Sequence, residues 1–224
     1  VFGDWSSDVC SSDLPEEEVL DWASQLADAL KYLHTQDPPI VHRDIKPSNL
    51  KVTPTGLVKL VDFGLVKTLA PGEVTITILQ GQGTALYTPL EQYGGDSGHT
   101  DARSDIYAFG GTLYHLLTNE APVNVRDRFL KPGTLTPIRQ INPDVSVRTE
   151  RAVHWALALH PEDRPEDIDT FLKALFIEDA PITQPFRNSM RFPPRLIETP
   201  ERALIYVASG LMVISLLLTI LRNF

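Results

Sequence analysis

The stretch Val41 to Leu50, VHRDIKPSNL, gathers a carboxylate, two cations and an amide within a few residues, and the following VDFGLVK segment adds a second carboxylate, Asp62. A loop offering Asp44, Lys46 and Asn49, followed by a strand delivering Asp62, holds what phosphoryl transfer requires: a base that orients a hydroxyl, a clamp for phosphate charge, and oxygen ligands for Mg²⁺ or Mn²⁺. Asp is short and stiff enough to aim at a hydroxyl, and Lys is a point charge for phosphate. Carboxylate and amide oxygens are the hard donors that a small divalent cation prefers. A string such as His-Arg-Asp-Ile-Lys is by itself most often a solvated charged loop, and a lone Asp-Phe-Gly is weak. The combination at matching spacings is what singles out this region.

These residues resemble the catalytic loop and metal-binding motif of the eukaryotic-type (Hanks-type) serine/threonine protein kinases. His42, Arg43, Asp44, Lys46 and Asn49 stand for HRDxKxxN, and Asp62, Phe63 and Gly64 for DFG. The resemblance implies that Asp44 accepts the substrate hydroxyl proton and that Lys46 neutralises the phosphoryl group transferred from ATP. It also implies that Asn49 and Asp62 hold the metal that accompanies the nucleotide, while His42, Phe63 and Gly64 serve as scaffold. The lysine two residues after the aspartate is similar to the serine/threonine class, so the implied acceptors are Ser and Thr hydroxyls of proteins.

Around these residues the sequence sets out the elements that must hold them. Pro15 to His34 carries apolar residues at Val19, Trp22, Leu26, Ala29, Leu30 and Leu33, a three-and-four spacing that predicts an amphipathic helix. Pro15 suits the first helical position and Glu16, Glu17 and Glu18 the positive end of the dipole, while Lys31 and His34 fall in the last turn. After the breaker run Asp37-Pro38-Pro39 and the catalytic loop, two short apolar segments, Leu50 to Thr53 and Leu57 to Val61, are joined by Pro54-Thr55-Gly56. This predicts a hairpin that hands the chain from base to metal ligand and fixes one relative to the other by backbone pairing.

Leu65 to Glu91 is a long connection without a clear helical or alternating period, and long irregular loops in compact domains are usually functional. In the family this is the activation segment. Gln80 to Tyr87 resembles its C-terminal anchor, with Thr84 near the catalytic base, and Thr75 and Thr77 are the expected phosphorylation sites. A phosphate there brings about −1.5 to −2 charges, for which Arg43 is the natural partner. The V-T-I-T-I alternation leaves open the plainer reading of both threonines as strand residues.

Where the family closes this segment with Ala-Pro-Glu, the chain has Pro89-Leu90-Glu91, and Glu91 is expected to form a structural pair with Arg164 of PEDRP. Ser104 to Gly110, SDIYAFG, resembles the opening of the central C-lobe helix, with Tyr107 where Trp is commoner. Asp105 lies on an otherwise apolar segment and needs donors, which in the family are backbone N–H groups of the catalytic loop. Simple helix capping, by Asp105 itself or by Ser104 or Asp101, is the alternative. Glu150 to Leu159 and Pro165 to Ile177 read as two further short helices, the second with Ile168, Phe171, Leu172 and Leu175 on one face. The polar, proline-rich stretch 126–143 gives no clear period.

A net charge of −9 over 224 residues argues against a general nucleic-acid binder, and a single cysteine excludes an internal disulfide framework. Residues 1–14 read differently from the rest. Asp4 to Leu14, DWSSDVCSSDL, matches a reading frame of a common sequencing-library adapter and is taken as not native, a disordered N-terminus being the alternative. Without Asp4, Asp8 and Asp13 the net charge becomes −6, and Cys10 drops out.

Residues 178–202 are a linker with several prolines and Arg187, Arg191 and Arg195. It leads to residues 203–221, nineteen without a charge, bracketed by Arg202 and Arg222. At 1.5 Å per residue that run spans about 28 Å, close to the hydrocarbon thickness. The expectation is a single-pass membrane anchor, with the arginines on its N-terminal side putting the preceding domain in the cytoplasm; a buried helix of a soluble domain is the alternative.

The expectation is a mainly α fold with short β-hairpins: a kinase-like C-lobe over residues 15–177 followed by a transmembrane helix, resembling bacterial membrane-anchored members. The glycine-rich loop and the ATP-binding lysine that the family carries upstream of the long helix are not found in the sequence. The chain is therefore expected to be a fragment that binds ATP poorly without the N-lobe of a longer protein. The implied partners are protein substrates, the membrane, that N-lobe, and a second copy for autophosphorylation. A membrane-tethered pseudokinase scaffold is the alternative, and a small-molecule phosphotransferase of related fold a third reading.

Overall fold

Helix α1, Glu16–His34, buries Val19, Trp22, Ala23, Leu26, Ala27 and Leu30 along one face. Its three glutamates stand in the first turn and Lys31 and His34 in the last, each complementing the helix dipole. Pro15 sits one residue before the helix, in an extended conformation, and not at its first position. Ala29 and Leu33 lie at the edge of the stripe, only partly buried, while Ala23 and Ala27 are in its centre. The structure is a computed structural model that describes residues 14–63, 67–68, 84–93 and 100–177.

Helix α2, Ala102–Thr118, is buried on nearly every side, as expected of a helix with apolar residues all round. Asp101 caps it by accepting from the Arg103 amide, and Asn119 ends it in the left-handed conformation that Asn tolerates. Around it pack α1, α5 (Val147–Ala156) and α6 (Ile168–Phe176). Phe109 and Phe171 meet edge to face, centroids 5.3 Å apart, at the centre of the core.

The last two helices begin later or earlier than their apolar pattern suggests because caps decide. Ser146 accepts from the Thr149 amide, so α5 starts at Val147 and not Glu150. Asp167 accepts from the Thr170 amide, so α6 starts at Ile168 and not Pro165. The stretch 126–143 holds most of a short helix, α3 (Val125–Leu130), and a second, α4 (Ile138–Ile141). Helices of this length show too few turns to betray a period.

Among the described residues the sheets are two antiparallel pairs. Strands β2 (Leu50–Val52) and β3 (Val58–Leu60) form the expected hairpin, with Leu50 opposite Leu60 and Val52 opposite Val58. Gly56 supplies the positive φ of 81° that the turn demands. Gln25 of α1 ties the hairpin down, donating to the Gly56 carbonyl at 3.2 Å and accepting from the Val58 amide at 2.9 Å. Strand β1 (Ile40–Val41) pairs with β4 (Lys67–Thr68), Ile40 opposite Thr68. Strand β4 lies in the segment read from sequence as an irregular connection; two residues are too few for an alternation to show.

No helix among the described residues is long and apolar enough to cross a membrane. Residues 1–13, 178–202 and the 203–221 run lie outside them, as do Gly64, Thr75 and Thr77.

Two predictions follow from the packing. A Cβ on Gly110 of α2 would stand 2.8 Å from the Ala156 Cβ of α5. Gly110→Val should destabilise the fold by about 1–3 kcal/mol despite the better helix propensity of valine, and a denaturation midpoint equal to wild type would contradict that packing.

Burial also pushes His42, His115 and His154 below the ordinary histidine range, with Asp105 and Asp44 opposing the effect at His42. Each binds its proton more weakly when folded, so the unfolded chain takes up more protons as pH falls below about 6.5. The melting temperature should therefore drop between pH 7.5 and pH 5.5 (roughly, spanning that value); a rise would contradict the assignment of neutral buried histidines.

Candidate active site

The catalytic loop runs between β1 and β2, and a single buried side chain holds its start. Asp105, on the first turn of α2 and without exposed surface, accepts from the backbone amides of His42 at Oδ2 and Arg43 at Oδ1, both at 2.8 Å. Its Oδ2 takes a third bond, 2.8 Å long, from His34 Nε2 at the end of α1. Capping is left to Asp101, so Asp105 is the loop anchor that the resemblance implied. Arg43 has a φ of 71°, a conformation that costs a non-glycine residue about 1–3 kcal/mol and persists where its surroundings hold it. Its side chain is buried, and burial lowers its pKa against the opposing charge of Asp105.

The anchored loop presents Asp44, whose carboxylate is largely buried. Lys46 Nζ approaches both carboxylate oxygens, at 2.8 Å and 3.1 Å. Asn49 Nδ2 donates to Asp44 Oδ2 at 2.9 Å and to its carbonyl at 2.8 Å. The 3₁₀ turn Pro47–Asn49 brings Asn49 back beside Asp44, and proline at its first position needs no amide partner there. The Asp44 amide faces His42 Nδ1 at 3.4 Å, consistent with a neutral imidazole whose Nδ1 carries the lone pair.

Asp62 reaches the same place through the hairpin. The ladder continues past β3 in a bond of 2.9 Å from the Val61 amide to the Asn49 carbonyl, so the residue before Asp62 is locked to one of the two expected metal ligands. Asp62 itself is exposed and has a φ of 66°, a second strained position at the site. Phe63 packs edge to face on the buried His42 ring, centroids 4.8 Å apart, which joins the two motifs through their scaffold residues. His42, Asp44, Lys46, Asn49, Asp62 and Phe63 are thus brought together; Gly64 is outside the described residues.

The donor set fits a hard divalent cation. Asn49 spends its Nδ2 on two bonds to Asp44, so its amide oxygen is not used in those bonds, and Asp62 adds an exposed carboxylate. No group of three or more acidic, His or Cys residues converges among the described residues.

The second structural pair is also in place. Glu91, in the 3₁₀ turn Leu90–Tyr93, receives Arg164 through two bonds, 2.7 Å and 3.0 Å, and Ser104 Oγ at 2.7 Å. The remaining Arg164 donors go to the carbonyls of Ala158, Arg103 and Leu159, so all five of its N–H groups are bonded. Replacing Ala-Pro with Pro-Leu ahead of this glutamate left the ion pair intact. Removing one partner of such a buried pair costs about 3–5 kcal/mol. Thr84 is described only through its backbone, in the turn Thr84–Leu86, and Thr75 and Thr77 lie outside the described residues.

Sequence reasoning missed three interactions. His34 was read only as a favourable charge at a helix end; its spacing to Asp105 carries no local signal. The Tyr87 hydroxyl pairs with His115 Nδ1, and Arg128 donates to the buried Tyr107 hydroxyl at 3.1 Å. A tyrosine in the middle of an apolar helix must find a polar partner, and that requirement was legible although its identity was not.

Comparison with known proteins agrees with this geometry. The chain matches the protein kinase domain family over residues 5–180. It is 34% identical over 157 residues to the serine/threonine-protein kinase PknB of Mycobacterium leprae, covering 67% of this chain and 24% of that one. It is 33% identical over 165 residues to a probable serine/threonine-protein kinase of Clostridium acetobutylicum, covering 70% and 24%.

The chain thus spans about a quarter of the length of these curated relatives. A solved structure described as the PpkA-294 apo form aligns with a TM-score of 0.57 and 25% identity, over 72% of this chain and 54% of the other. The buried aspartate under the catalytic loop, the paired motifs above it and the family match across most of the sequence make this chain a member of the protein kinase domain family.

Proposed function

We propose that this chain carries the catalytic-loop lobe of a protein serine/threonine kinase, which moves the γ-phosphoryl group of ATP onto Ser or Thr hydroxyls of a protein substrate. The observation that carries this reading is the convergence of Lys46 and Asn49 on the Asp44 carboxylate, within 3.1 Å. Asp44 orients the acceptor hydroxyl and takes its proton as the oxygen attacks phosphorus. Lys46, already beside Asp44, meets the charge of the phosphoryl group in flight, and ADP leaves. Asn49 and Asp62 would hold Mg²⁺ or Mn²⁺, which when bound neutralises the phosphate oxygens.

The finer features belong to the same proposal. The relatives are several times longer than the matched region, which supports a longer polypeptide whose N-lobe covers the nucleotide. The uncharged run 203–221 and its arginine flanks support a single-pass membrane anchor with the kinase lobe on the cytoplasmic side. Arg43, buried next to the base, supports control by phosphate on Thr75 or Thr77, supplied by a second copy or another kinase.

In the full-length polypeptide, Asp44→Asn should lower phosphate incorporation into a Ser/Thr substrate by about 10²–10⁴-fold with the melting temperature preserved. Equal incorporation by variant and wild type would exclude Asp44 as the base. A wild type that binds ATP but incorporates nothing would favour the pseudokinase scaffold.

A further inference from the structure

Helix α2 carries a notch and an imidazole on one face, and a tyrosine from outside the helix uses both. Gly111 and His115 are about one turn apart, so they share that face. The Tyr87 ring lies across it. A Cβ on Gly111 would stand 3.3 Å from Tyr87 Cδ1, with Pro122 Cγ at 3.5 Å and Leu157 Cδ2 at 3.8 Å as the other walls. The Tyr87 hydroxyl reaches His115 Nδ1, and the two rings are nearly parallel with centroids 6.1 Å apart. The missing side chain at Gly111 thus lets the phenol lie against the helix and meet the imidazole, and Tyr87 is buried there.

The segment that holds Tyr87 is tied down on either side of it. The Tyr93 hydroxyl donates to the Ala85 carbonyl at 3.2 Å, and Arg164 holds Glu91. Between these ties stands a contact to the one side-chain type whose ordinary pKa lies near neutral pH. Burial pushes the His115 pKa below the usual histidine range, and no charged group among the described residues opposes that direction. From the segment the ring is faced by the Tyr87 phenol, while the walls of the neighbouring notch, Pro122 and Leu157, are apolar.

We infer that Tyr87 and His115 form an acid-sensitive latch: a neutral imidazole holds residues 86–88 against α2, and a protonated one releases the phenol from its notch. With Tyr87 lifted, the imidazole meets water and binds its proton near the ordinary value of about 6.5; covered, it binds the proton more weakly. Falling pH therefore favours the open form from that value down to the lower pKa of the covered ring. The latch needs no phosphotransfer to operate. It also differs from the acid sensitivity that His42 and His154 give the whole fold, because its opening is confined to this segment.

The test is amide hydrogen exchange on the full-length protein, corrected for the intrinsic pH dependence of exchange, at roughly pH 7.5 and pH 5.5, which bracket the ordinary histidine pKa. Between the two, protection of residues 86–88 should fall by about three- to tenfold more than that of the buried α5 residues Ala152 and Val153, which report global opening. His115→Gln, which keeps a polar amide but does not titrate, should remove that extra pH dependence. Tyr87→Phe should lower protection of residues 86–88 already at the higher pH. An equal loss at segment and core in the wild type, a comparison that needs no variant, would overturn the latch. So would an extra loss that persists in His115→Gln, or unchanged protection in Tyr87→Phe.

Discussion

A carboxylate with no exposed surface, Asp105, accepts hydrogen bonds from two successive amides of the catalytic loop, and Asp44, Lys46 and Asn49 follow those amides within a few residues. Burying such a group is unfavourable unless its oxygens are bonded, and here three donors converge on it. The bonds in turn offset the left-handed conformation of Arg43, which would otherwise relax and swing Asp44 away. The anchor is rigid because α2 is rigid: the helix is enclosed by α1, α5 and α6, and Gly110 lets α5 approach without a side chain between. Sequence, core packing and site geometry are linked at this one point.

The charged groups around the site divide into two kinds. Asp44, Lys46 and Asn49 form one bonded cluster, and the exposed Asp62 follows Val61, whose amide is bonded to the Asn49 carbonyl. Glu91, Ser104 and Arg164 form a closed cluster in which every guanidinium donor has an acceptor, suited to holding a loop in place. The first cluster already pairs Lys46 with Asp44 and leaves the Asp62 side chain exposed; the second is closed on itself.

Much of the site was legible in the sequence because its residues sit within one loop and one hairpin, where spacing fixes geometry. Pro54-Thr55-Gly56 forced the turn, and the Asn49 to Val61 bond followed from the register. The long-range partners were less legible. Asp105 needed donors on physical grounds, but only the family resemblance named them, and His34 gave no hint of its role until the fold brought α1 beside α2. Strand β4 and helices α3 and α4 escaped because their periods are shorter than any pattern can show. The boundaries of α5 and α6 were set by Ser146 and Asp167, whose capping outweighed the apolar pattern.

The most direct measurement is amide hydrogen exchange at His42 and Arg43, made alongside phosphate transfer, in the Asp105→Asn form of the full-length protein. An asparagine offers one acceptor oxygen where two amides and an imidazole now find a carboxylate. Losing a hydrogen bond to a charged group, about 1.5–3 kcal/mol, should speed exchange of at least one amide by about tenfold or more, with transfer falling in parallel and helix content retained. Exchange at both amides equal to wild type, with transfer undiminished, would show that the loop is held by something else.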